Sequence, residues 1–120
     1  MASLDNFSIA WTSTSAVVTL PAEVDIANAE DIRDTLLAVL NRGVSLLIID
    51  MTGTTFCGCA GAGAVARAYL RARVGGGEVR LAARTPIVRR LLALTGVDRI
   101  VPVFDTVADA LAASSARRPC

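Results

Sequence analysis

Apolar residues along the chain occur alternately in short runs and at helical spacing, a pattern that predicts strands and helices in turn. Phe7–Thr12 and Ala16–Leu20 are short segments on either side of a polar turn, and they predict a β-hairpin. A helix is then expected from about Asn28, whose side chain should cap the first turn, to Gly43. Its buried face is predicted to carry Ile32, Leu36, Val39 and Leu40.

The segment Leu46–Asp50 is apolar without alternation, as in a strand that is covered on both faces. We therefore expect this strand at the centre of a sheet. A loop over residues 51–59 leads to a second helix over about Ala60–Val74, and Val79–Ala83 predicts the next strand.

The last third of the chain predicts one more helix, one more strand and a final helix. The first of these starts at Thr85-Pro86 and ends at Gly96, with a buried face formed by Ile87, Val88, Leu91 and Leu92. The strand covers Ile100–Phe104. The final helix begins near Thr106 and fades near Ser114.

The resulting order is ββαβαβαβα, which predicts the α/β fold class. Strands that alternate with helices favour parallel pairing, so we expect a mixed, mostly parallel sheet of about five strands with helices packed against it. A chain of 120 residues has the size of one domain, and a single domain over residues 1–120 is expected. Its core should cover about residues 7–113, and the tail over residues 115–120 should be frayed.

The composition excludes several kinds of function. The hydrophobic fraction of 53% and the charged fraction of 19% suit a packed domain and not a disordered chain. A net charge of +1 gives no basic excess for a nucleic-acid surface. The chain has no His and no Lys, which removes the imidazole base, the lysine Schiff base and the P-loop lysine. Its three cysteines are one ligand short of a four-cysteine zinc site. Much conventional enzyme chemistry is thus excluded, and we expect no metal and no cofactor.

The start of the sequence and its apolar runs indicate where the protein works. The first residues lack the apolar core of a signal peptide. The longest aliphatic run, Leu46–Ile49, is too short to cross a bilayer. We therefore expect a cytoplasmic protein without a membrane contact.

Residues 61–66, Gly-Ala-Gly-Ala-Val-Ala, fit the dinucleotide fingerprint G-x-G-x-x-A. In that fingerprint the first glycine directly follows a strand, whereas a long loop separates Gly61 from Asp50. Close packing of the helix start against a neighbouring segment is therefore the favoured explanation for these small residues. Further along the same helix, a row of cations indicates a solvated face or, alternatively, a contact with an acidic partner: Arg67, Arg71 and Arg73.

The unusual feature of the chain is the sequence Cys57-Gly58-Cys59. Cys57 follows an apolar loop and is expected to be a small buried residue. Cys59 should lie at the start of the second helix, where the helix dipole stabilises a thiolate. Two interpretations stay open: an inert thiol in a small site, or a redox-sensing thiol at Cys59 that pairs with Cys57.

Three segments, in this order, resemble the STAS domain family, the family of the anti-sigma factor antagonists. Residues 23–29, Glu-Val-Asp-Ile-Ala-Asn-Ala, are similar to the G-E-L-D-x-x-x-A motif that leads into that family's first helix. Residues 48–56 are similar to its strand and loop, V-x-D-L-s-x-V-x-F. Residues 85–98 are similar to its third-helix segment, so the resemblance covers about residues 7–113.

After the phenylalanine, the family carries D-S-S-G or D-S-A-G, and a partner kinase phosphorylates the first serine. In this chain Gly58 takes the place of the aspartate and Cys59 that of the serine. The resemblance implies that the unmodified domain binds an anti-sigma factor of the serine kinase type and frees the sigma factor. Phosphate, which adds about −1.5 to −2 charges, breaks that complex. The partner surface implied for this chain comprises the loop at Asp25 and the helix start with Gly58, Cys59, Ala60, Gly61, Ala62 and Gly63.

These features lead to one preferred interpretation and two alternatives. We expect a non-enzymatic interaction module, an anti-anti-sigma factor that regulates transcription and is not switched by phosphate at Cys59. A switch that had moved would use Thr54 or Thr55. The first alternative is the same module switched by oxidation of Cys59, and the second is a small-ligand-binding or scaffold STAS domain. The sequence leaves the oligomeric state open between a monomer and a weak dimer.

Overall fold

Residues 7–113, which are the residues that the computed structural model describes, contain seven strands and five helices. The predicted tail over residues 115–120 and Cys120 lie outside this range. The strands are β1 (Ser8–Trp11), β2 (Ser15–Thr19), β3 (Glu23–Val24), β4 (Leu46–Asp50), β5 (Phe56–Cys57), β6 (Glu78–Ala82) and β7 (Val103–Phe104). The helices are α1 (Ala29–Asn41), α2 (Cys59–Val74), α3 (Pro86–Thr95), α4 (Val97–Ile100) and α5 (Val107–Ala112).

One mixed sheet contains five strands in the order β1-β2-β4-β6-β7. β1 is antiparallel to β2, and the other neighbours are parallel. β4 lies in the middle because it is apolar on both faces: Leu47, Ile48 and Ile49 are each 0% exposed. The predicted α/β fold, with a mostly parallel sheet and a buried central strand, is confirmed.

The two faces of this sheet are covered differently. On one face, α1, α2 and α3 build the main core through residues such as Leu36, Val65 and Leu92. The other face is covered by α5, which packs on β4, β6 and β7. Arg80 of β6 is 4% exposed, forms an ion pair with Glu78 at 2.9 Å and donates hydrogen bonds to the carbonyl oxygens of Ala110 and Ala113. Because an unpaired buried cation is costly, these bonds hold the end of α5 on the sheet.

A second sheet consists of β3 and β5, which pair in parallel with Val24 opposite Cys57. The apolar pattern assigns both segments to loops, because a strand of two residues is too short to show a period. The loop before β5 is fixed through Thr54, which is 0% exposed. Its hydroxyl donates to the carbonyl of Pro21 at 2.9 Å, and its own carbonyl accepts from the hydroxyl of Thr85 at 2.9 Å.

The residues that end and cap the helices agree only in part with the predictions from the sequence. Gly43, at φ +92°, lies just beyond α1, and Gly96, at φ +83°, ends α3. The hydroxyl of Thr106 caps α5 as predicted, accepting from the amide of Asp109 at 3.0 Å. The predicted cap by Asn28 is wrong: its side-chain atoms bond backwards instead, to the amide of Asp25 and the carbonyl of Glu23.

Two further local predictions are wrong. The strand expected over Ile100–Phe104 contains only Val103–Phe104, because the left-handed backbone of Gly96 lets the chain start the short helix α4 at Val97. Ile87, expected in the buried face of α3, is 57% exposed. That exposure places an apolar side chain on the outside of α3.

Candidate functional site

The pairing of β3 with β5 brings the Asp25 loop beside the start of α2. The amide of Gly58 donates to the carbonyl of Val24 at 2.8 Å, which continues the strand pairing by one residue. Asp25 therefore leaves β3 at the same end at which Cys59 follows β5 as the first residue of α2. Two segments that the sequence places on one partner surface are thus neighbours in space.

Gly58, which is half-buried, and the exposed Cys59 begin the first turn of α2. Gly58 is the N-cap residue, in an extended conformation with φ −87° and ψ 175°, and it has no side chain to bond the free amides of the helix. An added Cβ on Gly58 would lie 3.8 Å from Cε2 of Phe56 and 3.8 Å from the carbonyl oxygen of Val24, which are ordinary contact distances. A side chain at position 58 therefore fits without strain.

The two thiols differ in their surroundings. Cys59 is exposed, whereas Cys57 is 5% exposed, as expected of a small buried residue. Burial, and then the charge of Cys59, raises the pKa of the Cys57 thiol to about 11. Cys57 therefore forms a thiolate less readily than an ordinary cysteine, which disfavours its reaction to a disulfide.

Gly61 and Ala62 face the interior, so their predicted place on the partner surface is wrong. Ala62 is 2% exposed, and Gly61 is buried as well. An added Cβ on Gly61 would overlap Cγ1 of Val24 and would lie 2.9 Å from Sγ of Cys57. Gly61 thus allows α2 to pack directly on β3 and β5, which explains the small residues without a nucleotide.

A groove of about 400 Å³ lies between the starts of α1 and α2. Small residues of α2 form its floor, including Ala60 and the exposed Gly63, while Ile26 stands at its rim and is 87% exposed. We use the name docking surface for this groove together with the adjoining loop and helix start. It comprises Asp25, Ile26, Arg33, Gly58, Cys59, Ala60, Gly63 and Arg67.

The two arginines of the docking surface differ in whether they form ion pairs. Arg33 pairs with Asp34 at 2.9 Å and with Glu30 at 3.4 Å, and the hydrogen bond with Asp34 is the main cause of a raised pKa of Arg33. Arg67 is exposed and forms no ion pair with any residue between 7 and 113. Arg67 is therefore an unpaired cation on a surface that also carries the carboxylates of Asp25 and Glu30.

Ile26 is the residue of this surface that the sequence pattern does not indicate. Hydropathy alone cannot tell an exposed isoleucine from a buried one, and its only signal is its position inside a polar loop. That loop is fixed by its own hydrogen bonds. The carboxylate of Asp25 accepts from the amide of Ala27 at 2.9 Å, and the amide of Asp25 donates to Oδ1 of Asn28 at 3.0 Å.

Neither a cluster of metal-ligating side chains nor a membrane-spanning helix is found among residues 7–113. No group of three or more His, Cys, Asp and Glu residues among residues 7–113 could hold a metal ion. No helix in the same range is long and apolar enough to cross a membrane.

Comparison with known proteins gives a consistent result. The model of the STAS domain matches residues 8–110. A protein of Mycobacterium tuberculosis named as a candidate anti-anti-sigma factor is 39% identical over 70 residues, which are 58% of this chain and 47% of that protein. The chain thus spans about half the length of this relative.

Two other proteins match over most of their length. The anti-sigma-F factor antagonist RsfA of Mycobacterium tuberculosis is 28% identical over 103 residues, covering 84% of this chain and 80% of the relative. The crystal structure of an anti-sigma factor antagonist from Mycobacterium paratuberculosis has a TM-score of 0.80 and 28% identity, over 88% of this chain and 89% of that one. The chain is therefore similar to anti-sigma factor antagonists both in sequence and in fold.

The packing of Gly61 gives a matched pair of substitutions. Gly61→Ala should lower the free energy of unfolding by about 1–3 kcal/mol, because its methyl group would press on Val24 and Cys57. Gly63→Ala lies in the same helix with no atom within 4 Å of the added Cβ, and it should raise stability by about 0.5–1 kcal/mol. Urea denaturation followed by circular dichroism measures both. Equal effects of the two variants would contradict the packing described for α2.

Proposed function

The chain belongs to the STAS domain family, and on that basis we propose that it is a non-enzymatic module that binds an anti-sigma factor of the serine kinase type. By occupying the anti-sigma factor it releases a sigma factor, and so regulates transcription. The names of two of its relatives, an anti-sigma-F factor antagonist and an anti-sigma factor antagonist, support this role. The docking surface supports it on physical grounds.

Ile26 is the observation that carries the proposal. Burying a fully exposed isoleucine stabilises a complex by roughly 1.5–3 kcal/mol, and at 87% exposure nearly all of that is left for a partner. The hydrogen bonds of Asp25 and Asn28 already fix the loop, so little conformational entropy is lost on binding. Ile26 therefore has the properties of an interface anchor.

The rest of the docking surface favours a close and partly acidic partner. Gly63, with no atom within 4 Å of an added Cβ, leaves room for a partner's backbone along α2. The unpaired charge of Arg67 favours an acidic residue opposite it, since complementary charges steer association and select partners. The acidic-partner interpretation of Arg67 is thus preferred over a merely solvated face.

We further propose that this chain has no phosphate switch at position 59. The hydroxyl oxygen that takes the γ-phosphoryl group of ATP in the family is replaced here by the thiol of Cys59. The aspartate that precedes it in the family is replaced by Gly58, which offers no acceptor to the helix amides. Of the two alternative hydroxyls, Thr54 is buried and bonded to Pro21, which leaves the exposed Thr55.

A thiol switch at Cys59 is the alternative that one observation favours, namely the exposure of this thiol on the docking surface. Hydrogen peroxide would oxidise its thiolate to a sulfenic acid and release hydroxide, which takes a proton from the solvent to give water. Because Cys57 is 5% exposed and burial raises its pKa, a sulfenic acid at Cys59 is favoured over a Cys57–Cys59 disulfide as the form of such a switch. Binding that is unchanged by peroxide would exclude this alternative.

The docking surface can be tested with two equally exposed apolar residues. Ile26→Ser should weaken binding to the anti-sigma factor at least about tenfold, as expected for an interface anchor. Val74→Ser is the control: Val74 is 85% exposed, but it lies at the other end of α2, about 22 Å from Cys59. Isothermal titration against each purified anti-sigma factor kinase of the producing organism gives the affinities.

Thermal unfolding of the same variants completes that test. Both side chains are exposed, so the melting temperatures should stay within a few degrees of the wild type. Equal affinities of Ile26→Ser and Val74→Ser would show that the docking surface is misplaced.

The switch can be rebuilt at positions 58 and 59. With the cognate kinase and ATP, the wild-type chain should stay unphosphorylated at Cys59. The double variant Gly58→Asp, Cys59→Ser should accept phosphate there, because it restores an N-cap carboxylate and a hydroxyl, and the Cβ at position 58 fits. Mass spectrometry of the peptides reads both outcomes. Phosphate on Thr55 of the wild type would instead show a switch that has moved.

A further inference from the structure

The outer face of α3 carries exposed apolar side chains. Val88 and Leu92 face the core and are 0% exposed. Ile87, Leu91 and Leu94 follow one another at helical spacing on another face, where Leu91 packs in part against the core while Ile87 is 57% and Leu94 is 74% exposed. A helix on the surface of a protein usually has one apolar stripe and a polar opposite face. The second stripe of α3 therefore calls for a contact outside the chain.

This outer stripe is one wall of a groove of about 620 Å³, which we call the α3 groove. Phe56 of β5, which is 46% exposed, forms the opposite wall. Pro86 adds to the lining, which is mostly carbon. Contiguous exposed apolar surface of this kind marks sites of protein interaction. The groove is open along its length, whereas small-molecule sites enclose most of their ligand, so a peptide segment fits it better.

The walls of the α3 groove are fixed before anything binds. The hydroxyl of Thr85 bonds the carbonyl of Thr54 at 2.9 Å and ties the start of α3 to the loop before β5. Arg89 donates to the carbonyl of Ala83 at 2.8 Å and forms an ion pair with Asp105. A partner therefore meets a preformed groove and loses little entropy in ordering it.

The positive charge in the lining of the α3 groove favours one kind of occupant. Arg90 lines the groove, is exposed and forms no ion pair with any residue from 7 to 113. α3 contains no acidic residue, and the charge of Arg89 is already compensated by Asp105. The complementary occupant is an apolar segment that carries an acidic side chain. The sequence of residues 114–120, with two arginines and no acid, does not match this requirement.

The α3 groove adjoins the docking surface. The ring of Phe56 lies 3.8 Å from the position that a Cβ on Gly58 would take, so one wall of the groove borders the N-cap of α2. A partner that covers Gly58 and Cys59 is thus within reach of the groove. We propose that the α3 groove takes an apolar, acidic segment of the anti-sigma factor, bound as an amphipathic helix lies in a groove. The identity of the partner rests on the proposed function, and the chemistry of the occupant rests on the groove itself.

Substitutions in the groove test its use by the partner. Ile87→Ser and Arg90→Glu should each weaken binding of the anti-sigma factor about tenfold or more, without a change in melting temperature. Leu111→Ser is the matched control, since Leu111 is 47% exposed on α5, on the other face of the sheet. If the wild-type chain binds and the groove variants bind equally well, the groove proposal is overturned while the proposed function stands. If the wild-type chain binds no anti-sigma factor, the proposed function fails and the assignment of the groove to that partner fails with it.

A synthetic peptide tests the chemistry of the groove without the partner. The probe is a helical peptide of about 14 residues, roughly four turns, with leucines on one face and glutamates beside them. In amide NMR spectra of the full chain, it should shift the signals of Phe56, Ile87 and Leu94, and a peptide with lysine in place of each glutamate should bind about tenfold more weakly. Shifts outside the groove, or equal binding of the lysine peptide, would overturn the assignment of an acidic, apolar occupant.

Discussion

The packing of Gly61 against Val24 and Cys57 is the contact on which the functional end of the molecule depends. Because no Cβ fits there, α2 can lie directly on the two-residue strands β3 and β5. That contact fixes the direction in which α2 begins, and with it the position of Cys59 beside the Asp25 loop. It also leaves Phe56 on the outside, as the wall shared by the start of α2 and the α3 groove. One missing methyl group thus sets the geometry of both surfaces.

The main sheet and its core could be predicted from the sequence because their signals are long enough to read. Leu46–Asp50 is a continuous apolar run, and its central place in the sheet follows from the need to cover both of its faces. β3 and β5 escaped prediction because two residues have no period. The exposure of Ile26 and Ile87 could not be predicted for another reason. It depends on neighbours that are distant in the sequence, and hydropathy does not distinguish an exposed isoleucine from a buried one.

The candidate site could be predicted by position but not in detail. Similarity to the STAS family places the loop at Asp25 and the start of α2 on one surface, and the structure brings these segments together. The same similarity assigns all of residues 58–63 to the partner surface without distinguishing among them. Only packing separates the buried Gly61 and Ala62 from the exposed Cys59 and Gly63. The two thiols separate in the same way, because Cys57 is buried while Cys59 faces the solvent.

A surface for binding and a switch for release are distinct features of such a domain. We propose that this chain has the first, and its sequence lacks the usual residues of the second. The central claim is that the docking surface, around Ile26 and the first turn of α2, contacts the anti-sigma factor. Hydrogen–deuterium exchange on the purified complex tests it most directly. The account predicts that exchange slows on binding in the peptides that cover residues 25–28 and 58–63, while the peptide that covers α5 is unchanged. Slowed exchange confined to α5 or to the edge strand β1, with residues 25–28 unaffected, would contradict it.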